Sequence, residues 1–323
     1  MVYRSLRWRG DDAVAVENDH VRVVVTRHGG QIASLQAVGG PEMLWQPPWP
    51  GQRPQHADHR WGPQTEAPLL ANICGWNLCL DRFGVRPDDG GRPLHGEAGI
   101  TPWRLLPQSP SALRMDCTLP LAGLCVQRHL ALDGGSLVVD TIVESQHRSP
   151  RDIEWCEHIS LSPTILDGAE LDADLEAAML HPDPGAHARS RFPEHLPGAC
   201  VPTDQALAMP RADDPPAGDI VAGALRSGGW AVRNPELGWQ LDCGFVAEDF
   251  PWLCMWTEHY ARSSAPWNGV TRVRGMECST KPFPEGLAPA SRRPTLLGRP
   301  TTCTIPAHGR LTRRITLSLR AIK

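Results

Sequence analysis

The chain has 323 residues, 41% hydrophobic and 21% charged, with a formal net charge of −4 at pH 7. That balance excludes a disordered or membrane-embedded chain. A pI near 6.3 without any polybasic run leaves no footprint for nucleic acid or an acidic membrane surface. Thirty glycines and 32 prolines make up about a fifth of the residues, well above average usage. Such residues reverse the chain between strands and break helices, so an all-β protein with many turns is expected and a helix bundle is not.

The first strand signal is Val21–Thr26, where valines recur at every second position before Gly29-Gly30. A second run spans 31–38 and ends at Gly39-Gly40-Pro41, with Met43-Leu44-Trp45 after it. From Trp45 to Gly62 the sequence is rich in Pro, Trp, His and Gln and predicts no regular structure. Within it, His56-Ala57-Asp58-His59 has no helical pattern to fix imidazole spacing and is read as a loop, not a metal site. Residues 126–132 and 136–143 flank Asp133-Gly134-Gly135, the chemistry of a hairpin turn with positive φ. Further strands are predicted at 112–119, 154–161, 239–245, 252–257 and 270–278, and a helix at 169–180, whose acidic first half fits a strand followed by a loop equally well. Proline-rich stretches at 182–184 and 212–218 are expected to be surface loops. Along the C-terminal strand Leu311, Arg313, Ile315, Leu317 and Leu319 share one face, and Thr312, Arg314, Thr316, Ser318 and Arg320 the other. The sum is one large antiparallel sandwich domain over residues 1–323.

Ten cysteines are scattered without a C-x-x-C pair, so they read as buried free thiols, which with the lack of an apolar leader leads to the expectation of a soluble cytoplasmic protein. Twelve tryptophans stand against two tyrosines and five phenylalanines. A flat apolar face with one edge donor serves a core or a sugar platform equally well.

Three short segments combine groups able to do acid–base work. In Leu94-His95-Gly96-Glu97 the glycine lets the backbone turn sharply beside His95. In Trp155-Cys156-Glu157-His158-Ile159-Ser160 the alternation sets His158 on the face of Cys156 and Ser160, opposite Trp155, Glu157 and Ile159. Glu277, in Arg274-Gly275-Met276-Glu277-Cys278, lies among apolar neighbours that would raise its pKa toward the range of a general base. Each also fits an ordinary role, as a turn residue, a half-buried imidazole or a solvent-facing carboxylate. Spacing alone does not bring the three together.

His28-Gly29-Gly30-Gln31, Glu42-Met43-Leu44-Trp45, His95-Gly96-Glu97, the Asp133 hairpin, 155–161 and Arg274-Gly275-Met276-Glu277 follow one another in an order that resembles the galactose mutarotase-like, or aldose 1-epimerase, superfamily. The resemblance spans nearly the whole chain and implies a β-supersandwich with a shallow sugar cleft. Carried over to matching positions, it implies Glu277 as general base, His158 as general acid and His95 as the histidine that orients the sugar. Arg82, Arg272 and Arg274 are then candidates to fork onto sugar oxygens, and Trp45, Trp76 and Trp256 to stack on the ring. The expected activity is interconversion of anomers without metal or cofactor, by a monomer or homodimer acting on a sugar of unassigned identity. A non-catalytic sugar-binding or sensor protein is the alternative, and a polysaccharide-cleaving enzyme ranks below it. Clustering of Arg82, Arg86, Arg92, Arg272 and Arg274 would favour a sugar phosphate, and their separation would disfavour it. The chain departs from the better-known members at Gly75-Trp76-Asn77-Leu78-Cys79 and around His158, so it resembles a divergent bacterial branch.

Overall fold

A computed structural model of the chain describes residues 4–63, 65–84, 92–187, 189–286 and 293–322. Among them, eleven antiparallel strands form one sheet and eight form a second, which lies across it. Valine-rich Val21–Thr26 pairs with Asp11–Glu17 and Ile32–Ala37 near one edge of the larger sheet. At its centre Cys156–Leu161 is held between Trp76–Cys79 and Arg272–Ser279, followed outward by Trp252–His259, Ala217–Leu225 and Leu175–Leu180. All six residues of Cys156–Leu161 and all eight of Arg272–Ser279 are buried. Both faces of the sheet centre are therefore covered, one by the second sheet and the other by loops.

The hairpin predicted at Asp133-Gly134-Gly135 closes with Asp133 opposite Ser136 and Gly134 at φ 53°. The C-terminal strand, Arg310–Ala321, buries Arg313, Ile315, Leu317 and Leu319 as its alternation requires. Ala112–Leu119 and Trp239–Phe245 have the expected bounds. One apolar core joins the two sheets, with Leu78, Ile159, Met255 and Met276 from the larger and Val126, Leu130, Val139 and Leu317 from the smaller. Among the described residues, no helix is long and apolar enough to cross a membrane.

The stretch 169–180 is not a helix: its acidic first half is the strand Glu170–Asp172 that the alternative reading allowed, and the second half is a further strand, Leu175–Leu180. Leu175–Leu180 pairs with Ala217–Leu225 and buries Leu175, Ala178 and Leu180, and sheet pairing of this kind overrides a weak local preference for helix. The segment expected to lack regular structure contains two single 3₁₀ turns, Pro54–His56 and His59–Trp61. A short helix, Ala67–Asn72, follows.

Candidate functional site

His158 and Glu277 are direct partners across the antiparallel ladder between Cys156–Leu161 and Arg272–Ser279. Strand alternation puts both side chains on the face turned away from the second sheet. There, His158 Nε2 lies 3.1 Å from Glu277 Oε1, and its Nδ1 lies 3.2 Å from Ser160 Oγ. Glu277 shares this face with Gly275. A Cβ on that glycine would come within 2.3 Å of Glu277 Oε1, so the bare backbone makes room for the carboxyl.

His95 reaches the same place from a loop. Its φ is 60°, and Gly96, at φ 81°, passes so close to Leu80 that a Cβ would lie 2.2 Å from the Leu80 carbonyl oxygen. The Gly84 N–H donates to His95 Nδ1 at 3.0 Å, and the His95 N–H donates to the Gly84 carbonyl. A neutral ring accepting at Nδ1 carries its proton on Nε2. The His95 and His158 rings meet edge-on at 5.4 Å and 63°, and Phe83 stacks on the His95 ring.

These three groups line a cavity of about 480 Å³, together with Trp256 and Cys254. Trp61, Trp267, Arg60, Arg262 and Glu66 form other parts of its wall. Arg262 lies over Trp267 at 4.6 Å and over Trp256 at 5.4 Å, with its Nε 3.3 Å from Glu258. An apolar, aromatic wall with a few convergent polar groups suits a small polar ring.

Burial sets the protonation of the pair. It pushes the Glu277 carboxyl up to about 8, against smaller opposing effects of the Cys254 thiol and the Arg274 charge. It pulls the His158 imidazole down to about 4, and His95 well below the usual histidine range. Between these limits the His158–Glu277 pair holds one proton, and both shifts place it on Glu277, with His158 neutral.

The other residues singled out from the sequence lie elsewhere. Arg272 and Arg274 alternate with Glu277 and so occupy the opposite face of its strand. Arg272 binds Asp167 and the Pro210 carbonyl, and Arg274 binds Thr257 and the Ala206 carbonyl. Trp76 points between the sheets, where its indole N–H donates to Glu157 at 2.6 Å beneath Arg128. Trp45 sits behind the cavity wall, stacked on Trp267 at 6.1 Å and edge-on to Trp256. Arg82 is buried 3.8 Å from Asp81, and Arg92 approaches the same carboxylate. Arg82 and Arg92 thus share Asp81, Arg272 and Arg274 have other partners, and none of the four lines the cavity, while Arg86 lies outside the described residues. His56 and His59 belong to the 3₁₀ turns, and no group of three or more His, Cys, Asp or Glu able to hold a metal occurs among the described residues.

Trp61, Trp267 and Arg262 escaped sequence reasoning because they come from loops. The only signal for the two tryptophans was the surplus of that residue type.

No protein-family profile and no curated protein matches the chain. Solved structures do. The Slr1438 protein of Synechocystis sp. PCC 6803 superposes with a TM-score of 0.68 at 14% identity over 99% of both chains. A galactose mutarotase-like protein of Clostridium acetobutylicum gives 0.69 at 8% identity, again over 99% of both. A galactose mutarotase related enzyme of Lactobacillus acidophilus gives 0.65 at 12% identity over 96% of this chain and 99% of that one. This chain has the galactose mutarotase-like fold, at an identity to each of these proteins as low as a divergent branch would show.

Proposed function

We propose that the cavity interconverts the anomers of a free sugar, an aldose 1-epimerase-type activity. The observation that carries this reading is the His158–Glu277 pair, 3.1 Å apart, opening with His95 into one sugar-sized cavity. The named mutarotase-like proteins of the same fold support it.

The chemistry follows from the pair's single mobile proton. Transfer of the shared proton from Glu277 to His158 gives the reactive form, in which the carboxylate takes the proton of the C1 hydroxyl while the imidazolium gives one to the ring oxygen. The C1–O5 bond breaks as the C1 carbonyl forms. Rotation about C1–C2 presents the other face of the carbonyl. On reclosure the ring hydroxyl returns its proton to His158, Glu277 reprotonates the carbonyl oxygen, and both groups are restored. Proton transfer of this kind contributes about 10²–10⁴-fold in rate. His95 donates from Nε2 to a sugar oxygen, and Trp256 offers an apolar face to the ring.

The test is exchange NMR or polarimetry on a panel of free aldoses and uronates. Anomer exchange above the spontaneous rate, abolished by Glu277→Gln, is the expected result. Saturable sugar binding with no rate enhancement would identify a binding or sensor protein instead.

A further inference from the structure

All but two of the 32 basic residues of this chain are arginines, and the one lysine among the described residues, Lys281, is 1% exposed. Its Nζ lies 2.5 Å from Glu154 Oε1 and also donates to the Gly286 carbonyl. Neither Lys281 nor Glu154 lines the cavity, and a buried ion pair is by itself poor evidence of a contribution to stability. The remaining bonds give the pair another use. Glu154 Oε2 accepts the Phe83 N–H at 2.8 Å, and the Gly286 N–H donates to the Phe83 carbonyl at 2.8 Å. The backbone of Phe83 is therefore gripped at both its donor and its acceptor, and Lys281 ties the two grips together. A compact ammonium can bridge these two oxygens, whereas the wider fork of a guanidinium demands more room.

The next residue is Gly84, whose N–H donates to His95 Nδ1, while the Phe83 ring stacks on the His95 imidazole at 5.4 Å and 25°. Gly84 has φ 94°, and a Cβ there would lie 2.1 Å from the Pro284 carbonyl oxygen, so this segment has no freedom to compensate if its anchor moves. We propose that Lys281 and Glu154 are positioning residues: through Phe83 and Gly84 they fix the ring and the tautomer of His95, so that Nε2–H faces the sugar. The consequence for turnover rests on the function proposed above. The tautomer itself does not.

Imidazole ¹⁵N NMR reads the tautomer directly, with the His95 signals identified by their loss in His95→Gln. The unmodified protein is expected to show His95 as a single neutral Nε2–H form from pH 5 to 8. A protonated ring or an Nδ1–H form in that range would overturn the proposal without any variant. In the double variant Glu154→Leu/Lys281→Met, which removes both charges together, His95 is expected to populate both tautomers. On a turned-over sugar, kcat/KM is expected to fall tenfold or more, since displacing a positioned group by about 1 Å can cost about 10²-fold. A folded double variant with an unchanged His95 tautomer and unchanged kcat/KM would reduce the pair to a structural one. Absence of turnover on every sugar would remove the proposed function and leave the tautomer result standing.

Discussion

His158 and Glu277 stand directly opposite each other on neighbouring antiparallel strands, with Nε2 and Oε1 3.1 Å apart in a wall of buried side chains. Two such groups titrate as a unit. Below about pH 4 the pair gains a second proton on His158, and above about pH 8 Glu277 loses the shared one. Ring opening needs one proton taken and one given. The rate of anomer exchange, measured as kcat/KM against pH, is therefore expected to form a bell with limbs near these two values. A rate rising steadily past pH 9 would contradict the one-proton requirement.

The same burial makes Glu277 a cost to folding. In the unfolded chain the carboxyl ionises near its usual 4.5, but in the fold only at about 8. Between these values the native state binds more protons than the unfolded one, so this contribution to stability declines as pH rises through the window. His158 acts in the opposite sense, with its contribution rising between about pH 4 and 6.5. Glu277→Gln is expected to match the wild-type stability near pH 4 and to exceed it progressively toward pH 8, by on the order of a few kcal/mol. Denaturant melts of both proteins across that range would measure the difference. An equal gap at every pH would show that ionisation of Glu277 is not its source.

Gly275 is where a single methyl group should separate folding from activity. Its Cβ would meet Glu277 Oε1 at 2.3 Å and Trp256 Cβ at 3.2 Å. The first contact is with the end of a flexible side chain and can be relieved, but only by turning the carboxyl away from its place beside His158. Gly275→Ala is expected to lose about 10²-fold in exchange rate, with a stability change of about 1–3 kcal/mol from overpacking. Polarimetry alongside a thermal melt would check both. An undiminished rate would mean that the position of Glu277 is not critical.

What the sequence disclosed about this site follows from the period of its strands. Alternation was enough to set His158 apart from Glu157. Applied to the strand of Glu277 it also sends Arg272 and Arg274 to the opposite side, where they meet Asp167 and Thr257. Their selection as sugar ligands weighed residue type above register. Trp76 illustrates the same point, because its neighbour Asn77 pairs with His158 and leaves the indole facing the core. The cavity wall was far less legible. Trp61, Trp267 and Arg262 sit on loops with no period, and only tertiary packing decides which tryptophans of a rich set reach a cavity.

Glu157 lies one residue from His158 but faces between the sheets, where it accepts from Trp76 Nε1, Trp155 Nε1 and Arg128. Arg128 is fully buried. Arg128→Met is expected to cost about 3–5 kcal/mol by leaving the Glu157 charge without its counterion. Adding Glu157→Gln should recover much of that loss, which denaturant unfolding of the single and double variants would measure. Because this cluster lies on the far side of the sheet, the exchange rate per folded molecule should remain that of the wild type.

Trp267 joins the cavity wall to the packing behind it. It stacks on Trp45 at 6.1 Å and 5°, meets Trp49 and Trp256 edge-on, and carries Arg262 over its own face at 4.6 Å. Truncation to alanine removes one side of each contact and leaves a void that buried neighbours fill only in part. Trp267→Ala is expected to cost about 3–5 kcal/mol and to release Arg262 from its fixed position, weakening sugar binding. Trp267→Phe keeps an aromatic face and should be milder in both respects. Calorimetric titration with a sugar that is turned over, run beside thermal melts of the two variants, separates the effects. If Trp267→Ala lowers stability while leaving affinity intact, Trp267 is a core residue that happens to border the cavity, and recognition of the sugar rests on Trp256 and the histidines.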